Sequence, residues 1–95
     1  MTYPEFLQQL DMAARDATVD DYLDEAENIA QHLPELYAIA HGGFRAVKET
    51  SGRSLKAFAF RYGIPLRTLE DWSAGVRHCP EYVWKMLGYI VWSEL

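Results

Sequence analysis

Apolar positions recur along this chain at spacings of three and four residues, and no stretch alternates one by one as a strand would. Tyr3, Phe6, Leu7, Leu10, Ala13, Ala14 and Ala17 form the first stripe and predict a helix from about Pro4 to Ala17. A second helix begins at Thr18 or Asp20, with Val19, Tyr22, Leu23, Ala26, Ile29, Ala30 and Leu33 as its stripe. Asp20, Asp21, Asp24 and Glu25 crowd its start, where the macrodipole favours acids. Pro34 interrupts and suits the first turn of a third helix. Leu36, Tyr37, Ile39, Ala40, Phe44 and Val47 carry that helix toward Ser51, and Gly52 ends it. His41-Gly42-Gly43 stands inside this stretch. Glycine costs a helix about 1 kcal/mol relative to alanine, so the pair marks either a kink or a close helix crossing.

The most informative stretch is Ser54 to Pro80, SLKAFAFRYGIPLRTLEDWSAGVRHCP. Ser54 is placed to cap a helix whose apolar face is Leu55, Phe58, Ala59 and Tyr62. Gly63 ends it by taking φ > 0, Ile64 is an apolar turn residue, and Pro65 fixes φ as a second helix begins. Leu69 and Trp72 stand at i and i+3 on that helix, and Gly75 stops it. This is a helix-turn-helix pattern, a unit that often carries its second helix into a DNA major groove. The last helix starts near Pro80. Its Val83, Leu87 and Ile90 are expected to face the core of the motif. Trp84, Val91, Trp92 and Leu95 make a second apolar face, covered either by the first two helices or by another copy of the chain, which makes these four a candidate dimer interface. The expected fold is all-α, with about six helices. It forms a single domain, 1–95, in which 1–51 is an acidic helical extension with the first helix of the bundle and 52–95 is the helix-turn-helix with the C-terminal helix.

Composition supports a packed domain: 49% of the 95 residues are apolar and thirteen are aromatic. Cys79 is the single cysteine, so no internal disulfide forms, and its plain reading is a small loop residue before Pro80. The N-terminus does not resemble a secretory signal, and no apolar run approaches the roughly 20 residues of a membrane span. The expectation is a cytoplasmic protein without membrane contact. Charge is polarised beneath a net −5. Residues 1–47 hold nine acids against two bases, −7, and residues 48–95 hold seven bases against five acids, +2. Screening acts over about 8–10 Å at physiological salt, so the local charge counts more at a phosphate than the total.

The segment around Gly63 resembles the helix-turn-helix of the phage repressor/Cro family. Phe58, Ala59, Gly63, Ile64, Thr68, Leu69, Trp72, Gly75 and Pro80 keep the order and spacing of that family, and EYVWKML after Pro80 is similar to small bacterial regulators of this type. The resemblance covers about half the chain. It implies sequence-specific binding of double-stranded DNA by a small transcriptional regulator, autoregulatory in one form, and a homodimer on a palindrome. It places base contacts at Pro65, Leu66, Arg67 and Asp71. Arg67 suits guanine O6 and N7, Leu66 a thymine methyl, and Asp71 the cytosine amino group. Phosphate contacts fall to Arg53, Ser54, Lys56, Thr68 and Arg77. The plainer alternative pairs Arg67 with Glu70 or Asp71 on the helix surface, and lets Thr68 bond back to its own helix.

A reading from another class keeps the scaffold as a protein-interaction module. The acidic N-terminal helices would then engage a protein partner, as antitoxins do, or imitate nucleic-acid charge, as some anti-CRISPR inhibitors do. An enzyme is not expected, since no nucleophile set, P-loop or carboxylate pair is present. His32, His41 and His78 are scattered, and neither a metal nor another cofactor is expected.

Overall fold

The computed structural model describes residues 1–26 and 31–95. Among them are seven α-helices and no strand: α1 Tyr3–Arg15, α2 Val19–Glu25, α3 Leu33–Gly42, α4 Phe44–Ser51, α5 Leu55–Tyr62, α6 Leu66–Ala74 and α7 Glu81–Ser93. Local chemistry starts several of them. Thr2 and Glu5 form a reciprocal capping box, with Thr2 N donating to Glu5 Oε1 at 2.8 Å and Glu5 N to Thr2 Oγ1 at 3.3 Å. Thr18 Oγ1 accepts from Asp21 N at 3.2 Å, and Ser54 Oγ accepts from Ala57 N at 3.1 Å.

The glycine pair accounts for seven helices where about six were expected. The third helix does not continue to Ser51. It ends at Gly42, and α4 starts after Gly43, whose φ of 60° and ψ of −139° suit glycine alone. A Cβ on Gly42 would stand 2.7 Å from the Ala46 Cβ, so the two helix ends close tightly on each other. Gly43→Ala is expected to lower stability by about 1–3 kcal/mol, the cost of holding a side-chain-bearing residue in a forbidden region. Space is not the issue, because the nearest atom to the new Cβ is Trp84 Nε1 at 3.6 Å. Urea denaturation checks this, and an unchanged midpoint would mean the connection bends freely.

Two aromatic centres share one core. In the first, Phe6 of α1 is fully buried, with ring centroids 5.3 Å from Tyr89 and 5.6 Å from Trp92 of α7. In the second, Phe44 of α4 meets Phe58 of α5 at 5.8 Å and Trp72 of α6 at 5.3 Å, both edge-on. Val47 of α4 and Ile39 of α3 link the two through α7. Their methyls would lie 3.4 and 3.1 Å from a Cβ on Gly88, so α7 crosses there at close range.

Several stripe positions depart from expectation. Ala14 and Ala17 are exposed, and so is Leu23, while Tyr22 and Ala26 are the buried members of the second stripe. Leu33 belongs to α3, and Ile29 and Ala30 lie outside the described residues. On α7, Leu87 faces the core but Ile90 is exposed, and Val91 is buried in its place. The candidate dimer face is thus largely covered from within. Val91 is 2% exposed, Trp92 packs at a tilt against Phe6 and donates its indole N–H to His32 O at 3.1 Å, and Trp84 lies against Gly43. Leu95 alone of the four stays exposed. The reason is geometric: α4 packs along α7, and α1 and α3 close over the rest of that face.

Tyr22 is the largest fully buried side chain, and its hydroxyl donates to Gln9 Oε1 at 2.9 Å. Burial, and then the charge of Asp16, push its pKa up to about 12 from 10.0. A raised pKa favours the neutral form in the fold. That contribution is complete below about pH 10 and is lost as pH rises through about 12. Alkaline unfolding over this range is expected to be steeper in wild type than in Tyr22→Phe, as followed by circular dichroism. Equal steepness would assign the loss to other groups.

Candidate nucleic-acid interface

Three residues, Gly63-Ile64-Pro65, join α5 to α6. Gly63 takes φ 69°, and Ile64 N donates to Ala59 O at 3.1 Å, closing α5. Pro65 O then accepts from Thr68 N at 3.0 Å and Leu69 N at 3.3 Å, opening α6. Phe58 and Leu69 are both fully buried, so each helix is pinned by its own core residue. The outer face of α6 is presented on a rigid base.

On that face Pro65 is exposed at the cap, Leu66 is half-buried, and the Arg67 side chain is 85% exposed. Asp71 is different, with a side chain only 17% exposed. Its Oδ1 lies 3.4 Å from Arg67 Nε, and its Oδ2 lies 3.2 Å from Arg77 Nη2. Its main-chain oxygen accepts from Val76 N at 3.0 Å and Arg77 N at 3.3 Å, which folds the following loop back over the helix end. Asp71 was expected to accept from a base. Here both of its oxygens face arginines, the surface pair with Arg67 being the plainer alternative given for that residue.

The expected phosphate contacts separate into two places. Lys56 is exposed on α5, Ser54 uses its hydroxyl as the cap of α5, and Thr68 is half-buried on α6. Arg77 is tied to Asp71, with its side chain 60% exposed. Arg53 does not join them. It lines a small cleft with Tyr62, Val91, Glu94 and Leu95 at the C-terminal end of α7. There Tyr62 donates to Glu94 Oε1 at 2.6 Å and Arg61 pairs with Glu94 Oε2. The hydrogen bonds from Tyr62 and Arg61 hold the Glu94 carboxyl below its usual range.

No family model, curated protein or solved structure matches the chain. Among the described residues, no three or more of His, Cys, Asp and Glu are grouped to hold a metal ion, and no helix is long and apolar enough to cross a membrane. Burial pushes the Cys79 thiol up to about 11, which disfavours the thiolate near neutrality.

Two features escaped the sequence reading. Arg45 Nη2 donates to Ser73 O at 3.0 Å, tying α4 to the end of α6 across 28 positions. Phe60 on α5 is 92% exposed. A contact across 28 positions has no local signal. Phe60 could have been found, because it stands apart from the stripe Leu55, Phe58, Ala59 and Tyr62.

Proposed function

We propose that this protein is a small transcriptional regulator that binds double-stranded DNA sequence-specifically through α6, with its own operon as the simplest target. The observation that carries the reading is Arg67, exposed on the first turn of a helix held rigidly by Leu69 and by the Gly63 turn. Magnitudes favour its release to a base. A surface pair such as Arg67–Asp71 is worth about 0.2–0.5 kcal/mol. A bidentate arginine–guanine contact supplies about 1–3 kcal/mol of discrimination. Asp71 then acts as a holder that keeps the guanidinium extended until a base edge replaces it. Lys56, Thr68 and Arg77 serve as phosphate contacts, and Arg53 has no part in them. The acidic N-terminal half weakens non-specific affinity and leaves more of the binding to base contacts.

Selection of duplexes from a random library, at about 50 and 200 mM salt, tests the reading over the range where phosphate-driven affinity falls steeply. An enriched motif supports it. No enrichment and no binding at the lower salt overturn it. A palindromic motif would call for a second copy. Since Val91 and Trp92 are taken, that copy is placed on Tyr82, Met86 and Ile90, which are exposed along one face of α7. Sedimentation as a monomer at all concentrations would remove it.

A second reading rests on α2, where Asp20, Asp21, Asp24 and Glu25 are exposed together with the apolar Leu23. An acidic surface with one apolar anchor suits a basic protein partner. A pull-down that returns a stoichiometric partner, lost in Leu23→Lys, supports this reading, and a pull-down that returns none removes it.

A further inference from the structure

A cavity of ≈ 330 Å³ opens between the start of α4, the end of α6 and the loop that leads to α7. Arg45, Arg77 and His78 contribute its polar wall, and Phe44, Trp72 and Trp84 its apolar wall. None of the residues lining it is an aspartate or glutamate. Its volume falls at the small end of the range for ligand sites, about 300–1,000 Å³.

The two arginines of the polar wall are donors only. Arg45 spends one guanidinium nitrogen on Ser73 O at 3.0 Å and keeps the rest of its fork. Arg77 reaches the cavity from its contact with Asp71 Oδ2 at 3.2 Å. Phe44, the first residue of α4, also lines the cavity, and no side chain caps the first N–H groups of that helix. Two arginines about one cavity form a fork that matches a carboxylate or phosphate, and arginine also stacks on planar rings. The indoles of Trp72 and Trp84 offer flat apolar surface beside them.

We propose that this cavity is a binding site for a small aromatic anion, a planar ring carrying one phosphate or carboxylate. The anionic group sits on Arg45 and Arg77 and the ring lies against the tryptophans. The site needs no DNA. Its consequence for DNA rests on the reading above: Arg77 and Arg67 share Asp71, so an anion that draws Arg77 away leaves the carboxylate to Arg67 alone and holds that arginine more firmly from the base.

Titration of the whole protein with adenosine 5′-monophosphate, free of DNA, tests the site by calorimetry and by tryptophan fluorescence. Adenosine and inorganic phosphate serve as the separate halves of the probe, and benzoate as a second aromatic anion. The expected result is one saturable site for the monophosphate or for benzoate, with a change in tryptophan emission. Arg45→Gln should weaken it about tenfold or more, as the loss of a charge-assisted contact does. Arg77→Gln should weaken it similarly, while Arg15→Gln, on α1 and outside the cavity lining, should not. Both arginines are exposed, and circular dichroism confirms that each variant is folded. Saturation by neither aromatic anion overturns the proposal. So does inorganic phosphate binding as tightly as the monophosphate, which would make the cavity a bare phosphate contact. Competition with a selected duplex then reads the coupling separately, so the binding site stands or falls independently of the DNA reading.

Discussion

Phe6→Ala is expected to cost about 3–5 kcal/mol of stability, the range for removing a large aromatic from a packed core. Phe6 is fully buried, it is flanked by Tyr89 and Trp92, and its ring reaches within 3.8 Å of a Cβ placed on Gly88. It therefore touches the point where α7 crosses α3 and α4. Domains of this size have roughly 5–15 kcal/mol in total, so the loss takes a large share. Because α7 shares its core with the second aromatic centre, the damage should extend to the helix-turn-helix. Urea denaturation followed by near-ultraviolet dichroism of the tryptophans checks this. A loss below about 1 kcal/mol, far short of the core range, would mean that α1 is an appendage.

Arg67→Ala is expected to reduce affinity for the selected duplex by about 5- to 150-fold, the equivalent of about 1–3 kcal/mol. Binding to random duplex should fall far less, because one screened charge contributes little to the phosphate term. The circular dichroism spectrum should not change, since the side chain is 85% exposed and its pair with Asp71 is weak. Asp71→Asn should act in the opposite direction on random duplex. It removes the shared acid from Arg67 and Arg77, so non-specific affinity rises and the salt dependence steepens. Equal losses on selected and random duplexes in Arg67→Ala would make this arginine a phosphate contact.

The second apolar face of α7 is instructive, because the sequence left two covers open for it, other helices of the chain or a second copy. Trp84, Val91, Trp92 and Leu95 do share a side of α7, as their spacing requires. Spacing says which residues stand together, but it is silent on what lies over them. That depends on where α1, α3 and α4 come to rest against α7, decided by Phe6, Ile39 and Val47, all buried and all distant from α7 in sequence. The surroundings of Asp71 were half legible for a related reason. One of its partners, Arg67, is a helical neighbour at i−4 and was legible; Arg77 reaches it only because the loop after Gly75 folds back.

The sequence by itself determined what is local. Helical period, caps at Thr2, Thr18 and Ser54, the stop at Gly63 and the exposed start of α6 all arise from residues at most four positions apart. Such interactions are written in spacing, and an all-α chain with a helix-turn-helix unit followed from them. The tertiary structure decided what lies between elements: the cover over Trp92, the departure of Arg53 to the end of α7, and the cavity lined by both Arg45 and Arg77. Those contacts join residues tens of positions apart. Whether each forms depends on how whole helix faces pack against one another, which no single window of the chain encodes.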